Sequence, residues 1–360
     1  MVVDPRHDHS FRIPRPDLSV TLGTPNPCTP CHVPRTAAWA AAQVRQWYGR
    51  VPKGYQDYAE ALHAGRLGMP AAERLLSQLA ENDAAPLIAR ATALSALQPY
   101  LSPASLPALQ QGLHHNQPLL RVAAVQALEA VPPPHRLALA GHLLNDPIRA
   151  VRIQAARTLA SVPVAQLAEA QRQELERGLQ EYIAAQQVDV DSPEAHLNLG
   201  VLYRERGQLA AAEAAYRMSL QRQPAFVPAY VNLADLYRQQ GQDDKGERLL
   251  RQALSVVPEQ AEVHHALGLL LVRQQRHPEA VTALAQAASL HPDVPRYSYV
   301  YAVALHDTGA PQKAIDVLEA AHTRHPYNRE MLAALVAFHR EQGNLEAARQ
   351  YAATLQALSP

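Results

Sequence analysis

The residues best suited to chemistry are the two cysteines of the chain and the histidine after them, in the run Cys28-Thr29-Pro30-Cys31-His32. Two thiols spaced in this way can each add to one vinyl group of the same porphyrin, and the next histidine can bind the iron. The motif therefore predicts one covalently attached haem c. Cys28 and Cys31 would form the thioether bonds, and His32 would be the proximal ligand of the iron.

Three alternatives compete with haem attachment at this motif. A thioredoxin-like redox pair belongs in a βαβ unit, and the sequence shows no strand pattern here. A structural zinc site usually takes four ligands in two pairs, and the chain has no second cysteine pair. The third alternative is a chance match.

The sixth ligand of the iron has several candidates in the sequence. His7 and His9 lie in the same proline-rich segment as the motif, and His63 lies in a helical stretch. Met1 and Met69 are the nearby thioethers. We favour His9 and keep the others open. The choice matters because a methionine ligand raises the reduction potential relative to two histidines.

The C-terminal half contains a strict repeat. Prolines recur every 34 residues, at Pro224, Pro258, Pro292, Pro326 and Pro360. This is the period of the tetratricopeptide repeat (TPR), a helix–turn–helix unit that stacks into a solenoid. Five units are predicted, starting at Pro193, Val227, Ala261, Pro295 and Arg329. The eighth position is small in four units, which lets paired helices approach closely, and glycines separate the two helices at positions 207, 241, 309 and 343.

A looser helical repeat precedes the TPR units. Arg90, Arg121 and Arg152 are each 31 residues apart, within similar Ala/Val/Leu-rich stretches, and each follows a proline by a few residues. A helix-initiating proline followed by a buried stripe with an inward arginine resembles HEAT repeats. A generic helical bundle is the alternative. Residues 168–187 are predicted to form a helix that caps the first TPR unit, because a solenoid needs covered ends.

These patterns predict an all-α protein, an α-solenoid of HEAT-like and then TPR hairpins behind an irregular proline-rich segment. The predicted domains are residues 1–50 (haem c segment), 51–165 (HEAT-like repeats), 166–192 (connecting and capping helix) and 193–360 (five TPR units). Prolines exclude long helices from residues 1–35, which we expect to be extended. A helix is expected from Thr36 to Tyr48, closed by Gly49, with Trp39 and Trp47 on one face.

Charge and composition exclude several classes of protein. Lys+Arg and Asp+Glu both number 33, so the chain lacks the basic excess of a nucleic-acid binder. The longest apolar run of the helical part, 266–272, is far shorter than the ~20 residues of a membrane span. The N-terminus has no secretory signal pattern, so we expect a cytosolic protein or one whose signal has been removed or lost. No catalytic constellation is visible, and the chain is predicted not to be an enzyme.

The predicted TPR units also suggest a binding groove, formed by positions 2, 5, 9 and 12 of each first helix. The polar side chains at these positions are Arg204, Asp235, Arg238, His265, Arg296, Tyr299, His306 and Arg340, with Glu194, Glu262 and Glu330 at position 2. Leu197 and Val201 stand where a carboxylate-binding clamp needs polar groups. We expect a protein partner with a mixed or acidic surface, and the alternative is that these residues form solvated helix faces.

The N-terminal sequence carries a family resemblance. Residues 8–19 (DHSFRIPRPDLS), Thr24-Pro25-Asn26 and the haem motif resemble bacterial multihaem cytochrome c proteins that continue into HEAT and TPR repeats. The resemblance implies that His9 is a distal ligand, on this haem or another, and that the protein is periplasmic. Such proteins have further haem motifs and an export signal upstream. This chain resembles their C-terminal part, so an upstream multihaem domain is an expected redox partner.

Two functional hypotheses follow. The first is an electron-transfer protein that binds one haem c and docks a protein partner on its solenoid. The second is a non-redox TPR scaffold for protein interaction, in which the haem motif is vestigial.

Overall fold

The structure is a computed structural model that describes residues 13–50 and 56–358. Every regular element in these two ranges is a helix, and neither contains a strand. The prediction of an all-α protein of stacked helical hairpins is confirmed. Among the described residues, no helix combines the length and the apolar character needed to cross a bilayer.

The chain divides into two compact units, residues 1–130 and 131–360. This division falls inside the stretch predicted to be HEAT-like. The predicted domain boundaries divide the chain by type of repeat and not by compactness, so this division does not test them, and they stay predictions.

The first unit contains seven α-helices in its described part. They are α1 (Pro16–Leu22), α2 (Ala37–Tyr48), α3 (Ala59–Leu67), α4 (Ala72–Glu81), α5 (Leu87–Ala96), α6 (Leu106–Leu113) and α7 (Pro118–Ala127). Helix α1 packs on α2, and the later helices pack on their neighbours as α3–α4, α4–α5, α5–α7 and α6–α7. Their core consists of fully buried leucines such as Leu76, Leu94 and Leu113.

Helix α1 interrupts the segment that was expected to be extended. It begins at Pro16, a position where a proline costs nothing because the first N–H groups of a helix have no partner within it. Gly23 ends the helix in the left-handed conformation, with φ of 69°. A helix of two turns therefore fits between the prolines, which exclude only longer ones.

The second unit contains the remaining helices. They are α8 (Pro133–Ala140), α9 (Arg149–Leu159), α10 (Glu169–Gln187), α11 (Pro193–Glu205), α12 (Leu209–Arg222), α13 (Val227–Gln239), α14 (Asp243–Val256), α15 (Ala261–Arg273), α16 (His277–Leu290), α17 (Pro295–Asp307), α18 (Pro311–Arg324), α19 (Arg329–Glu341) and α20 (Leu345–Ala357). From α11 onward they form five hairpins, each of which packs on the next. The first helix of every hairpin starts at the residue predicted from the 34-residue period.

The turns between paired helices require a left-handed residue. Gly207, Gly241, Gly309 and Gly343 have φ between 69° and 81° in the four units that carry glycine at this position. In the third unit the equivalent residue is Gln275, which adopts φ of 59° despite its side chain. The turn is thus set by the stacking of the hairpins, even where the sequence lacks glycine.

The arginines of the looser repeat bind backbone carbonyls that precede their own helices. Arg90 Nε donates to the carbonyl of Ala80 at 2.9 Å, Arg121 to that of His115 at 2.7 Å, and Arg152 to that of Asp146 at 2.8 Å. Arg90 and Arg121 are buried, and Arg152 is half-buried beside Glu181. The side chains therefore satisfy carbonyls at the end of the preceding helix or in the connection before their own helix, as an inward arginine predicts.

Helix α10 packs on α11, as expected of a cap, but also on α9. Gly178 allows the second contact, because a Cβ at this position would lie 2.7 Å from the Cβ of Ala156. The helix is therefore not isolated, and it continues the stack from α9 into the five hairpins.

Candidate functional site

Cys28 and His32 are joined by one helical turn. The His32 N–H donates to the Cys28 carbonyl at 3.0 Å, which closes the turn over Thr29, Pro30 and Cys31. Both cysteines are free thiols; Cys28 is half-buried, and Cys31 and His32 are exposed. The two thiols and the imidazole thus lie on one short, accessible turn, as attachment of a single porphyrin requires.

Asn26 fixes the start of this turn. Its Oδ1 accepts a hydrogen bond from the Cys28 N–H at 2.8 Å, and its carbonyl accepts one from the Thr29 hydroxyl at 3.2 Å. This is an Asx turn, in which the side chain replaces a backbone carbonyl. The sequence motif alone did not assign Asn26 a role, although an asparagine two residues before a turn is a recognisable signal.

Helices α1 and α2 hold the two ends of the motif segment. Arg15, just before α1, forms ion pairs with Asp17 at 2.8 Å and with Asp57 at 3.3 Å. The Arg15 guanidinium lowers the pKa of the Asp17 carboxyl, mainly through the hydrogen bond between them. On the other side, the Thr36 hydroxyl accepts from the Trp39 N–H at 3.3 Å and caps α2.

Trp39 lies against the proximal-ligand candidate. The ring centroids of His32 and Trp39 are 5.0 Å apart, and the Arg35 guanidinium lies 5.5 Å from the Trp39 ring. Trp47, which was placed on the same helix face as Trp39, is 68% exposed and does not pack on the other helices. Helix α2 itself ends at Tyr48 before Gly49, as predicted.

The sixth-ligand candidates are not settled by this geometry. His7, His9 and Met1 lie outside the described residues. His63 is half-buried in α3 and Met69 lies just after that helix, and no hydrogen bond or ring contact joins His63 to His32. In residues 13–50 and 56–358, no three His, Cys, Asp or Glu side chains come together as a metal site.

The predicted TPR groove contains a charge network centred on Asp235. Three side chains donate hydrogen bonds to the Asp235 carboxylate. They are Arg204 at 3.2 Å, Arg238 through Nε at 2.7 Å, and Gln239 at 2.9 Å. Two of the predicted groove cations are therefore paired with the one groove aspartate. Because pairing neutralises them, charge reversal at Arg204 and Arg238 would break this network as well as test partner binding.

Other predicted groove residues make contacts within the array or lie away from Asp235. The His306 ring stacks on Phe338 with centroids 4.1 Å apart, and its Nε2 lies 2.6 Å from a carboxylate oxygen of Glu341. Tyr299 packs partly against the core of the last two hairpins, and Arg340 is exposed. The structure does bring Asp235, Arg238, His265 and Arg296 to one cavity.

His265 is the most unusual side chain of this cavity. It is only 8% exposed, and neither ring nitrogen has a hydrogen-bond partner among the described residues. Its ring is 4.8 Å from that of Tyr297, centroid to centroid. Burial, and to a smaller extent the charge of Arg296, lower the pKa of His265 to about 4. The imidazole is therefore neutral at pH 7.

This shifted histidine predicts a loss of stability in acid. An unfolded-state pKa near 6.5 lies above the folded value, so the unfolded chain binds the proton first and stability falls as the pH drops from about 6.5 towards 4. We expect His265 to cost about 2 kcal/mol of unfolding free energy at pH 5 relative to pH 7.5. Urea unfolding at both pH values measures it.

The matched variant for this prediction is His265→Leu, which cannot titrate. Its loss of stability between pH 7.5 and pH 5 should be smaller than that of the wild type by the same amount. His322, whose pKa is also lowered by burial, contributes equally to both proteins. Equal pH dependence in the two proteins would contradict the assignment.

Comparisons with known proteins identify the repeats. Tetratricopeptide-repeat sequence profiles match residues 165–225, 227–292 and 265–329. The chain therefore carries TPR repeats, as the 34-residue period predicts. The first match begins ahead of Pro193 and includes α10. No curated protein matches the sequence.

Several solved structures are similar to this chain. A MamA protein is 19% identical, with 47% of this chain and 92% of MamA aligned at a TM-score of 0.40. PilF from Pseudomonas aeruginosa is 21% identical over 47% of this chain and 77% of its own, with a TM-score of 0.42. YrrB, described as a TPR protein with an unusual peptide-binding site, is 18% identical over 49% of this chain and 91% of its own, with a TM-score of 0.38.

Proposed function

We propose that this protein is a c-type haem-binding electron-transfer protein whose repeat array docks a protein partner. The observation that carries the haem assignment is the turn from Cys28 to His32, with two free thiols and an exposed imidazole on one accessible loop. TPR repeats are protein-interaction modules, so the array is a protein-interaction scaffold. We propose no catalytic role for either part.

The residues around the turn have separable roles in this proposal. Cys28 and Cys31 would hold the porphyrin by thioether bonds, and His32 would bind its iron. Asn26 holds the turn in shape, and Trp39 restricts the orientation of the His32 ring. When bound, haem c supplies a one-electron Fe(III)/Fe(II) couple. His9 remains our proposed distal ligand, with His7 and His63 as alternatives.

The compartment and redox partner follow from the haem proposal. Haem c is attached in the bacterial periplasm, so we propose that location. We propose an upstream multihaem domain as the redox partner, as the sequence resemblance implies. The competing function is a scaffold with a vestigial haem motif, which the repeats alone would equally support.

The test is a pyridine haemochrome spectrum of the full chain. The chain would be given an export signal and expressed in a periplasm together with haem c maturation factors. We expect a reduced c-type α band and one haem per polypeptide. A folded, helical product without haem would contradict the proposal and leave the scaffold function.

A further inference from the structure

A cavity of about 360 Å³ opens between three successive first helices of the array, α13, α15 and α17. Val231, Ala266 and Leu269 form its apolar wall. His265 and Tyr297 lie beside this wall, and Arg296 lies at the edge. We call it the His265 cavity. It combines apolar area with a few converging polar groups, as binding pockets do.

The unpaired imidazole of His265 is the first sign of a ligand. A buried polar group without a hydrogen-bond partner costs free energy that a leucine at the same place would not. His265 has two such atoms, although the equivalent residue of the preceding unit is Val231. A partner atom from another molecule would satisfy what the described part of the chain leaves unpaired.

The charges around the cavity indicate the sign of that ligand. Asp235 is already bound by Arg204, Arg238 and Gln239, so its charge is offset within the chain. Arg296 is exposed and forms no ion pair or hydrogen bond within the described part of the chain. Arg238 uses only Nε on Asp235, which leaves its terminal amino groups available. Glu262 also lies at the edge, and its negative charge opposes that of Arg296. The lining still holds three cations, Arg238, Arg273 and Arg296, against two anions, Asp235 and Glu262, so an acidic ligand is favoured.

We propose that the His265 cavity binds a glutamate or aspartate side chain from an extended segment of a protein partner. The carboxylate would accept hydrogen bonds from Arg296 and from the N–H of His265, since guanidinium groups bind carboxylates strongly. The inference rests on the proposed docking function of the array and adds the chemistry of its ligand. The proposed ligand is a side-chain carboxylate and not a C-terminal one, because the groove lacks the polar clamp of a C-terminal carboxylate receptor.

Tyr297 must move for this contact to form. Both ring nitrogens of His265 are covered in the structure, and the Tyr297 ring, tilted by 42° to that of His265, lies beside them. Tyr297 is half-buried, so its ring can turn towards solvent without opening the core. The incoming side chain would then take its place beside His265.

The test uses phage that display random nine-residue peptides as N-terminal fusions. Such peptides have no free C-terminus, so only side-chain carboxylates are offered. Selection on the full chain should enrich sequences that share a Glu or Asp at one position. The enriched peptide is then measured by fluorescence anisotropy. Replacing its acidic residue with the matching amide, or Arg296→Glu in the protein, should weaken binding at least tenfold.

Two further variants separate binding from folding. His265→Leu should unfold at the same or a higher urea concentration at pH 7, yet bind the peptide at least fivefold more weakly. Arg324→Glu reverses an exposed charge in the hairpin that carries Arg296, but outside the cavity. This variant should leave binding unchanged.

Three results would overturn the inference. If enriched peptides bind equally well to Arg296→Glu and His265→Leu, the array docks peptides but the cavity is not the site. If the enriched peptides lack acidic residues, the proposed ligand chemistry is wrong. If no peptide is enriched, both the cavity inference and peptide docking by the array fail, while the haem assignment is still decided by the haemochrome spectrum.

Discussion

Replacing both cysteines, Cys28→Ala with Cys31→Ala, is expected to remove all covalently bound haem from the protein. Each thiol adds to one vinyl group, so the double variant has no site for a thioether bond. Each single variant should retain one thioether at reduced yield. Its haemochrome α band should lie at longer wavelength, because the unreacted vinyl group stays conjugated with the porphyrin. Haem staining after denaturing electrophoresis and the haemochrome spectrum measure both effects.

The control for this prediction is the fold of the repeat array. The cysteines are accessible and make no core contacts, so the urea transition of residues 131–360 should be unchanged in all three variants. Trp47→Phe, in an exposed side chain of the same segment, should keep the wild-type haem content. Covalent haem that persists in the double variant would show that the motif is not the attachment site.

The turn from Cys28 to His32 follows from local sequence alone. It spans five consecutive residues and is closed by the hydrogen bond from the His32 N–H to the Cys28 carbonyl. The proposed sixth ligand would come from elsewhere in the chain, and His7 and His9 lie outside the described residues. No spacing rule can choose between them and His63.

The hairpins of the array were predictable for a different reason. Each unit repeats the same local signals, so the starts of all five first helices follow from one proline period. The period also places the left-handed turn residue correctly in the third unit, where Gln275 replaces glycine. Because five units share one pattern, a departure at one position of one unit does not change the predicted helix boundaries.

The chemistry of the groove was not predictable from the same pattern. The period assigns Arg204, Asp235 and Arg238 to one face but does not show that they bind one another. It likewise gives no sign that His265 is buried with no hydrogen-bond partner among the described residues, because its neighbours come from three different hairpins. Side-chain pairing depends on rotamers and on the distances between stacked helices, and the repeat period determines neither.

Gly200 lets the two helices of the first TPR hairpin approach closely. Gly200, at the eighth position of the first unit, faces Tyr216, whose side chain is fully buried. A Cβ on residue 200 would lie 2.5 Å from Tyr216 Cδ1, deep inside van der Waals contact. The second and fourth units have alanine at this position, but they place Leu250 and Leu318 opposite it. The third unit also has glycine, Gly268, where a Cβ would lie 2.6 Å from Leu284 Cγ. In the first unit the Cβ would meet the rigid ring of Tyr216, which cannot shift as a flexible leucine side chain can.

We expect Gly200→Ala to lower the free energy of unfolding by about 2 kcal/mol, measured by urea denaturation. Overpacking a rigid buried ring costs up to about 3 kcal/mol, and the better helix propensity of alanine returns about 1 kcal/mol. Gly246→Ala is the matched control in the same array. Its Cβ would come closest to the flexible Leu270 Cδ1, at 3.2 Å, with the Ala234 carbonyl and Tyr237 Cβ at ordinary contact distance. The free energy of unfolding should therefore change by less than about 1 kcal/mol.

The compensating variant decides whether the clash is the cause. Gly200→Ala combined with Tyr216→Leu recreates the Ala–Leu pair of the second and fourth units. Tyr216→Leu also removes a buried hydroxyl that has no hydrogen-bond partner among the described residues. In a double-mutant cycle the two changes should couple favourably by about 2 kcal/mol, within the range for residues in direct contact. Additive effects would show that residue 200 tolerates a methyl group and that Tyr216 does not set the spacing of this hairpin.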